Sequence, residues 1–364
     1  MTKKTKKNIL VLHDYFETTE GGGRLVLCIR DCFDADLGCG YYRHDHPFFT
    51  TDNRPNYTLR IKCNIPLLKQ WLLLRGFLKK SIFPGKYDVV MYSGFYAPLA
   101  IDNLEGCSKH ILYCHTPPRF VYDKKRYYEK LLPCWQRPLL KVFTLSFKKQ
   151  YERAVSKMDI VLANSQNVQK RIETYLGLQS KVVYPPCNIS SFSWKEDKGY
   201  FLSMGRLDPL KRVDRIVRAF QKLPEKQLVV ISEGQDFNKI KELARGYDNI
   251  EVVGAVSEKK LQSYLAACRA TMYIPEDEDF GMSSVESMAA GKPVIGVAEG
   301  GLLESIIPGK TGILLDPDFT QKDLIQAIES MTKEEAVKMR ENCEKRAACF
   351  AIEKFKDSIA RIIS

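Results

Sequence analysis

The chain contains 364 residues, which favours two domains, and its 45% hydrophobic and 27% charged residues are typical of a globular protein. No stretch without a charged residue exceeds 13 positions, whereas a membrane-spanning helix needs about 20 apolar residues, so the composition excludes a transmembrane protein. The apolar run after Lys3, Lys4, Lys6 and Lys7 is too short for a signal peptide, which predicts a cytoplasmic chain. The 11 cysteines include no Cys-x-x-Cys pair and are predicted to be reduced.

The formal net charge of +12 is unevenly distributed along the chain. Residues 1–190 carry 30 Lys and Arg against 16 Asp and Glu, whereas residues 191–364 carry 26 against 28. The whole positive excess therefore belongs to the first half. This asymmetry predicts an anionic partner for that half: nucleic acid, an anionic membrane surface or a phosphorylated substrate.

Short β-branched runs in the first half predict strands, and the amphipathic patterns between them predict helices. Strands are expected at residues 9–12, 87–92, 110–114 and 159–163. The first strand leads to a loop, a turn at Gly21-Gly22-Gly23 and a helix over residues 25–33. Asn164 and Ser165 are expected to cap the helix after the last of these strands.

The second half repeats this alternation more regularly. Strands are predicted at residues 200–203, 228–231, 250–253, 271–274 and 294–297. Helices are predicted at residues 213–223, 237–245, 258–267, 283–290 and 350–363. This pattern predicts an α/β protein with two doubly wound, Rossmann-like domains, each built on a parallel sheet. Ligands of such sheets bind beyond the carboxyl ends of the strands, and two domains facing each other would place the ligand in a cleft.

The strongest motif runs from Glu278 to Glu286, after a predicted strand. Gly281 would let backbone amides approach a ligand, and the first turn of the following helix favours phosphate. Glu286 could hold a pair of sugar hydroxyls. The alternative interpretation is an acidic loop that only solvates a helix start.

Basic and glycine residues follow several other predicted strands. Arg206 and Lys211 flank a strand-to-helix turn, where they could neutralise a diphosphate or simply be surface cations. His115 follows a strand and precedes two prolines, so it is a candidate for the ligand site or a structural histidine. The remaining candidates are glycine turns, which could contact a ligand or merely permit positive φ: Gly22 and Gly23, and the Glu299-Gly300-Gly301 segment.

Two basic segments of the first half also contain apolar and aromatic residues. Residues 119–157 hold 11 Lys and Arg against 3 Asp and Glu, together with eight aromatic residues. Residues 67–83 contain Lys69, Arg75, Lys79 and Lys80 and no acidic residue. Basic helices with Trp, Leu and Phe are typical of membrane-surface elements, although solvated helices whose aromatics pack inward are an alternative. No nucleic-acid-binding motif accompanies the charge.

Metal and nucleophile motifs are weak in this sequence. Two Asp-x-Asp segments, at residues 34–36 and 277–279, match the pattern of metal-dependent transferases, but the pattern is short and the first is expected in a loop after a helix. The sequence lacks both the Gly-x-x-x-x-Gly-Lys-Ser/Thr loop and the Gly-x-Ser-x-Gly elbow. We therefore predict no metal site and no cofactor.

In their order along the chain, these motifs resemble those of retaining glycosyltransferases of family 4, which have the GT-B fold. The resemblance also includes Asn164-Ser165, Tyr184-Pro185-Pro186 and residues 291–295, and the segment that begins at His115 is similar to mannosyltransferases that build bacterial surface polysaccharides. The sequence departs from the family pattern at Ser232-Glu233-Gly234, at Met282-Ser283 and at Asn188. These departures leave the nucleotide base and the sugar open.

The resemblance implies a role for each candidate residue. Arg206, Lys211 and the amides of Gly281, Met282 and Ser283 would bind the donor diphosphate. Glu286 would bind the ribose, and the catalytic pair His115 and Glu278 would face the transferred sugar. Glu299, Gly300 and Gly301 would contact the donor sugar, and Gly22 and Gly23 would form an acceptor or phosphate loop.

The resemblance also implies a domain plan and an activity. Residues 1–187 would bind the acceptor, 188–197 would be a linker, 198–345 would bind the nucleotide-sugar donor, and 346–364 would cross back to the first domain. We expect transfer of mannose from GDP-mannose to a lipid-linked or polysaccharide acceptor of O-antigen, capsule or lipopolysaccharide, at the inner face of the membrane and without nucleic acid. A uridine donor is one alternative, and a basic-faced protein that binds membrane or nucleic acid is another.

Overall fold

The computed structural model describes residues 7–364 except 20, 62, 80–82, 84 and 105. Lys3, Lys4 and Lys6 at the N-terminus and Lys80 of the basic segment 67–83 lie outside the described residues. The chain forms two compact units: the first comprises the residues up to Tyr184 together with Lys356–Ser364, and the second comprises Pro185–Phe355.

The first unit is built on a seven-stranded parallel sheet with the strand order β3-β2-β1-β4-β5-β6-β7. Its strands are β1 (Ile9–His13), β2 (Asp36–Cys39), β3 (Tyr57–Thr58), β4 (Val89–Ser93), β5 (Lys109–Cys114), β6 (Ile160–Ala163) and β7 (Lys181–Val182). Its helices are α1 (Gly21–Phe33), α2 (Pro66–Leu78), α3 (Lys125–Lys130), α4 (Arg137–Val155) and α5 (Gln166–Leu176), with 3₁₀ turns at Ala97–Asn103 and Cys134–Gln136.

The core of the first unit lies between the sheet and its helices. Leu10, Tyr92 and Leu112, from neighbouring strands, are fully buried, as expected of a sheet covered on both faces. Helices α2 and α4 pack against each other, with the rings of Trp71 and Phe143 5.3 Å apart. The strand order reverses between β1 and β4, so the ligand crevice of such a sheet is expected beyond their carboxyl ends.

The second unit contains a six-stranded parallel sheet with the order β10-β9-β8-β11-β12-β13. Its strands are β8 (Tyr200–Ser203), β9 (Gln227–Ile231), β10 (Ile250–Gly254), β11 (Thr271–Tyr273), β12 (Val294–Val297) and β13 (Gly312–Leu315). Its helices are α6 (Val213–Phe220), α7 (Phe237–Ala244), α8 (Glu258–Ala267), α9 (Met282–Ala289), α10 (Leu302–Ser305), α11 (Gln321–Ser330) and α12 (Lys333–Ala347), with 3₁₀ turns at Ile189–Ser191, Pro209–Lys211 and Ala348–Phe350. Here the order reverses between β8 and β11.

The last helix, α13 (Ile352–Ile363), begins in the second unit and ends in the first. Within the first unit, the ammonium groups of Lys7 and Lys109 donate to the carbonyl oxygens of Ile363 and Ile362, at 2.6 and 3.1 Å. These bonds satisfy carbonyls of the final helical turn, which lack partners inside the helix. Among the described residues, no helix combines the length and apolar character needed to cross a membrane.

The predicted α/β class with two doubly wound sheets is confirmed, and so is the cap by Ser165, whose Oγ accepts from the amide of Val168. Two local predictions were wrong. The three glycines do not form a turn ahead of the helix; they are the first three residues of α1, which begins at Gly21. Asp36 lies in β2 rather than in a loop, and its carboxylate accepts from the hydroxyl of Tyr87 at 2.7 Å. The short strands β2, β3, β7 and β13 were not predicted.

Candidate active site

Lys211 and Glu278 meet where the strand order of the second sheet reverses. The 3₁₀ turn that ends at Lys211 follows β8, and the acidic loop containing Glu278 follows β11, the neighbouring strand. Lys211 Nζ lies 2.5 Å from Glu278 Oε2 and 3.4 Å from the hydroxyl of Tyr273. The two charged side chains are only 17% and 19% exposed, so they form a largely desolvated ion pair. This is the crevice in which a doubly wound sheet binds ligands.

The surroundings of Lys211 keep its ammonium group charged. Burial lowers the pKa of Lys211, but the hydroxyl of Tyr273 and the carboxylate of Glu278 raise it more, and the pKa lies above its usual value of 10.5. Burial also raises the pKa of Tyr273, which therefore stays a neutral phenol beside the cation. Lys211 therefore stays protonated at neutral pH.

Arg206 is placed differently from Lys211, although it belongs to the same loop after β8. Its side chain is 61% exposed, and its Nε lies 2.9 Å from Oδ2 of Asp208. Asp208 caps the 3₁₀ turn by accepting from the amide of Leu210. The guanidinium is therefore held at the base of this turn and remains accessible to solvent, where it can make a bidentate contact with an anion.

The start of α9 follows the acidic loop and presents backbone amides. Gly281 precedes the helix with φ of 88°, and a Cβ there would lie 2.6 Å from a methyl of Leu302, so this position requires glycine. Met282 and Ser283 occupy the first turn, whose amides lack intrahelical acceptors and favour negative charge. Glu286 is half-buried one turn further along the same helix.

The segment after β12 braces the acidic loop. The amide of Gly301 donates to the carbonyl oxygen of Glu278 at 2.8 Å, and a Cβ at Gly301 would lie 2.4 Å from Cα of Phe280. The carboxylate of Glu299 accepts from Arg212 Nη1 and from the amide of Asp277, both at 2.9 Å. The Gly301 amide and the Glu299 carboxylate are thus both hydrogen-bonded to the acidic loop. Gly300, with φ of 56°, forms the turn between them.

Three residues near this site were given no role from the sequence. Arg212 binds Glu299 and adopts a left-handed backbone with φ of 52°. In the sequence, only its position directly after Lys211 could have suggested that it lies near the site. Ser232 has φ of 147°, a conformation that favours glycine, and Gly234 packs so closely on Leu207 that a Cβ there would lie 2.2 Å from the Leu207 carbonyl oxygen. The signal for Ser232 was its place in a segment where family 4 often has Gly-x-Gly.

In the first unit, His115 belongs to a cluster at the carboxyl ends of β1, β4 and β5. Ser93 Oγ lies 2.8 Å from Nε2 of His115 and 3.2 Å from Nδ1 of His13. Gly22 lies against the same ring, since a Cβ there would be 3.4 Å from Nε2 of His115. Gly23 instead packs on Phe16, 3.2 Å from a Cβ placed there. The sequence identified His115 and missed Ser93 and His13, although both end a strand.

Both histidines are neutral near pH 7. Burial lowers the pKa of His115 to about 4. Burial, the nearby His115 and, in the opposite sense, the backbone carbonyl of Ser93 bring the pKa of His13 to about 3. The residue after His13 supports the loop that follows β4: the buried carboxylate of Asp14 accepts from the amides of Tyr96 and Ala97 at 2.7 and 2.8 Å.

The chain is similar in sequence to several known proteins. Residues 188–349 match the family model described as "Glycosyl transferases group 1". The chain has the GT-B fold. It is 26% identical over 290 residues to the alpha-1,3/1,6-mannosyltransferase ALG2 of Dictyostelium discoideum, which covers 66% of each chain. It is 24% identical to human ALG2 over 318 residues, which covers 77% of this chain and 73% of the human one.

Solved structures share the fold over nearly the whole length of this chain. Anabaena Alr3699/HepE, solved in complex with UDP and glucose, superposes with a TM-score of 0.74 at 16% identity, covering 98% of this chain and 99% of that one. A sucrose-phosphate synthase from Thermosynechococcus elongatus superposes with a TM-score of 0.75 at 18% identity, covering 98% of both chains. At these identities the likeness concerns the fold.

Proposed function

We propose that this glycosyltransferase transfers mannose from GDP-mannose to a hydroxyl of a lipid-linked or polysaccharide acceptor, with retention of the anomeric configuration. The observation that carries the proposal is the largely buried Lys211–Glu278 pair beside the first turn of α9. A fixed cation and a helix N-terminus converge where a diphosphate leaving group develops charge. The relatives named as mannosyltransferases, one of which carries GDP-Man in its name, support mannose as the sugar.

The proposed reaction breaks the bond between the anomeric carbon and the diphosphate oxygen and forms a bond from that carbon to the acceptor oxygen. The departing phosphate oxygen takes the proton of the acceptor hydroxyl, and the products are the glycoside and the nucleoside diphosphate. Lys211, Arg206 and the amides of Gly281, Met282 and Ser283 stabilise the developing charge without a metal. On donor binding, contacts of Lys211 with the donor would replace part of its ion pair with Glu278.

The remaining roles are assigned as follows. Glu286 holds the ribose hydroxyls, and Glu278 and His115 contact the transferred sugar. Gly300 contacts the sugar through its backbone, while Glu299 and Gly301 act by shaping the acidic loop, because their polar groups already bind within it. Gly22 contributes to the acceptor or phosphate loop through its backbone, whereas Gly23 serves the packing of α1.

A donor screen tests this proposal. Purified protein would be titrated calorimetrically with GDP-mannose, UDP-glucose, UDP-galactose and UDP-N-acetylglucosamine, and assayed for donor hydrolysis with and without EDTA. We expect GDP-mannose to bind most tightly and turnover to survive EDTA. If a uridine donor binds most tightly, its sugar would replace mannose in the proposal. This alternative is included because a structure with the same fold was solved with UDP and glucose. Binding of no nucleotide sugar would favour the non-enzymatic alternative, and loss of turnover with EDTA would favour a metal-dependent mechanism.

Variants locate the donor site. Arg206→Gln should reduce turnover at least tenfold, since it removes a cation proposed to contact the diphosphate, while the fold is retained because the side chain is exposed. Arg245→Gln is the matched control, because its side chain is 78% exposed in the same unit and, among the described residues, forms an ion pair with Glu242 one turn away. Equal activity of the two variants would argue against the assignment of Arg206.

We further propose that the basic first unit lies on an anionic membrane, at the inner face of the cell membrane, where a lipid-linked acceptor would be presented. Helices α2 and α4, which pack together, expose Leu68 and Leu72 on one and Leu139, Val142 and Leu145 on the other. The basic side chains near these leucines and valine include Lys141, Lys148 and Lys149. Apolar residues bordered by lysines suit the boundary between headgroups and acyl chains.

Vesicle sedimentation tests the membrane proposal. The protein should bind vesicles containing phosphatidylglycerol and not those of phosphatidylcholine alone. Replacing Leu139, Val142 and Leu145 by serine should weaken this binding about tenfold or more without unfolding the protein, because the three side chains are already exposed. Val337→Ser, an exposed position in the second unit, is the control. Equal binding to both vesicle types, or to neither, would contradict the proposal.

A further inference from the structure

Three side chains at the carboxyl ends of β1, β4 and β5 form one hydrogen-bonded chain. His13 Nδ1 lies 3.2 Å from both the carbonyl oxygen and Oγ of Ser93, and Ser93 Oγ lies 2.8 Å from Nε2 of His115. The register of the parallel sheet pairs His13 with Ser93 on the adjacent strand. The backbone of the sheet therefore sets the spacing of this chain.

The direction of each hydrogen bond follows from what each atom can do. A carbonyl oxygen only accepts, so His13 Nδ1 carries the proton and donates to Ser93. Ser93 is buried, and within the described part of the chain the only acceptor recorded for its hydroxyl hydrogen is Nε2 of His115. Donation to Nε2 is the arrangement that leaves no buried hydroxyl hydrogen unpaired. Nε2 of His115 is therefore an acceptor.

The proton of His115 then has one place to go. The ring is neutral near pH 7 because burial lowers its pKa to about 4, so it carries a single N–H. With Nε2 accepting from Ser93, that proton lies on Nδ1. The Nε2 side of the ring is also closed by the first turn of α1, where a Cβ on Gly22 would approach Nε2 to 3.4 Å. His115 is partly exposed, and no hydrogen-bond partner of Nδ1 occurs among the described residues, so Nδ1–H is available to a ligand.

We propose that Ser93 and His13 are positioning residues that fix His115 as a neutral Nδ1–H donor towards an oxygen atom of the transferred sugar. The inference rests on the function proposed above and deepens it in one respect. His115 recognises an acceptor, such as a hydroxyl or ring oxygen, and it is not the general base, because Nδ1 is protonated and Nε2 is engaged by Ser93. The proton of the acceptor hydroxyl must then leave by another route, in agreement with its transfer to the departing phosphate.

Nitrogen NMR of the full chain with ¹⁵N-labelled histidine tests the tautomer directly. The chain has five histidines, and His115→Asn assigns the ring signals of His115 by their loss. At pH 7 the wild type should show His115 with a protonated Nδ1 and an unprotonated Nε2. A protonated Nε2, or a doubly protonated ring, would overturn the proposal, and the tautomer itself is read from the wild-type protein.

Ser93→Ala then tests the positioning role. The His115 signals should move to values averaged between the two tautomers, while those of His110, which lies 2.8 Å from the hydroxyl of Tyr92 on the same sheet, should stay unchanged as a control for folding. The donor KM should change less than kcat, which should fall about tenfold. An unchanged His115 tautomer in Ser93→Ala would overturn the role of Ser93. A correct tautomer in a protein that turns over no donor would refute the proposed function and leave the tautomer assignment standing.

Discussion

Replacement of Lys211 by methionine separates the stability of the candidate site from its chemistry. Methionine keeps much of the aliphatic volume but removes the ammonium that lies 2.5 Å from Glu278. Removing one partner of a buried ion pair costs about 3–5 kcal/mol, because the other charge is left uncompensated. Since both side chains retain nearly a fifth of their exposure, we expect a loss of about 2–4 kcal/mol in the free energy of unfolding.

The pH of the measurement matters for this prediction. The folded-state pKa of Lys211 is raised above 10.5, so its contribution to stability is complete below pH 10.5 and is lost only as the pH rises further. Urea denaturation at pH 7 therefore measures the whole effect. Turnover should fall about 10²–10³-fold, the loss typical when one group that stabilises transition-state charge is removed.

The double variant Lys211→Met/Glu278→Gln is the decisive control. Neutralising both partners removes the buried, unpaired carboxylate, so most of the lost stability should return. Turnover should not return, because the cation is still missing. A double variant no more stable than Lys211→Met, or a single variant that keeps near-normal turnover, would refute the reasoning.

Three further predictions concern other parts of the site. The pKa values of His13 and His115 are lowered to about 3 and 4, so the unfolded state binds more protons than the folded state below pH 6.5. The free energy of unfolding should therefore fall between pH 6.5 and 4, by up to about 1.4 kcal/mol per pH unit for each histidine. A denaturation midpoint that stays constant over this range would contradict the prediction. Ser232→Gly should raise the free energy of unfolding by about 0.5–2 kcal/mol, since relief of its strained φ exceeds the added entropy of the unfolded chain, and a lower urea midpoint would disprove this. Gly301→Ala should lower the free energy of unfolding by about 1–3 kcal/mol and weaken donor binding, because the added Cβ would meet the backbone of Phe280. Wild-type donor affinity in calorimetry would count against a role for this packing.

Local sequence patterns predicted most of the described strands and placed most candidate residues directly after them. Short apolar runs between helical patterns located nine strands, because a buried parallel strand consists of a few consecutive apolar residues. The short edge strands β3 and β7, of two residues each, left no such pattern. The three glycines were assigned to a turn because helix propensity disfavours glycine, yet tertiary packing against Phe16 and His115 overrides that preference.

The sequence by itself determined the α/β class, the two sheets and the positions of Lys211, Glu278 and His115 after strands. Tertiary structure alone decided their partners. Lys211 and Glu278 are separated by 67 residues, and they meet because β8 and β11 are neighbours in the sheet. His13, Ser93 and His115 likewise meet because three strands distant in sequence end side by side. Strand order is set by long-range packing, which no local pattern records, and it is strand order that turns separate residues into a site.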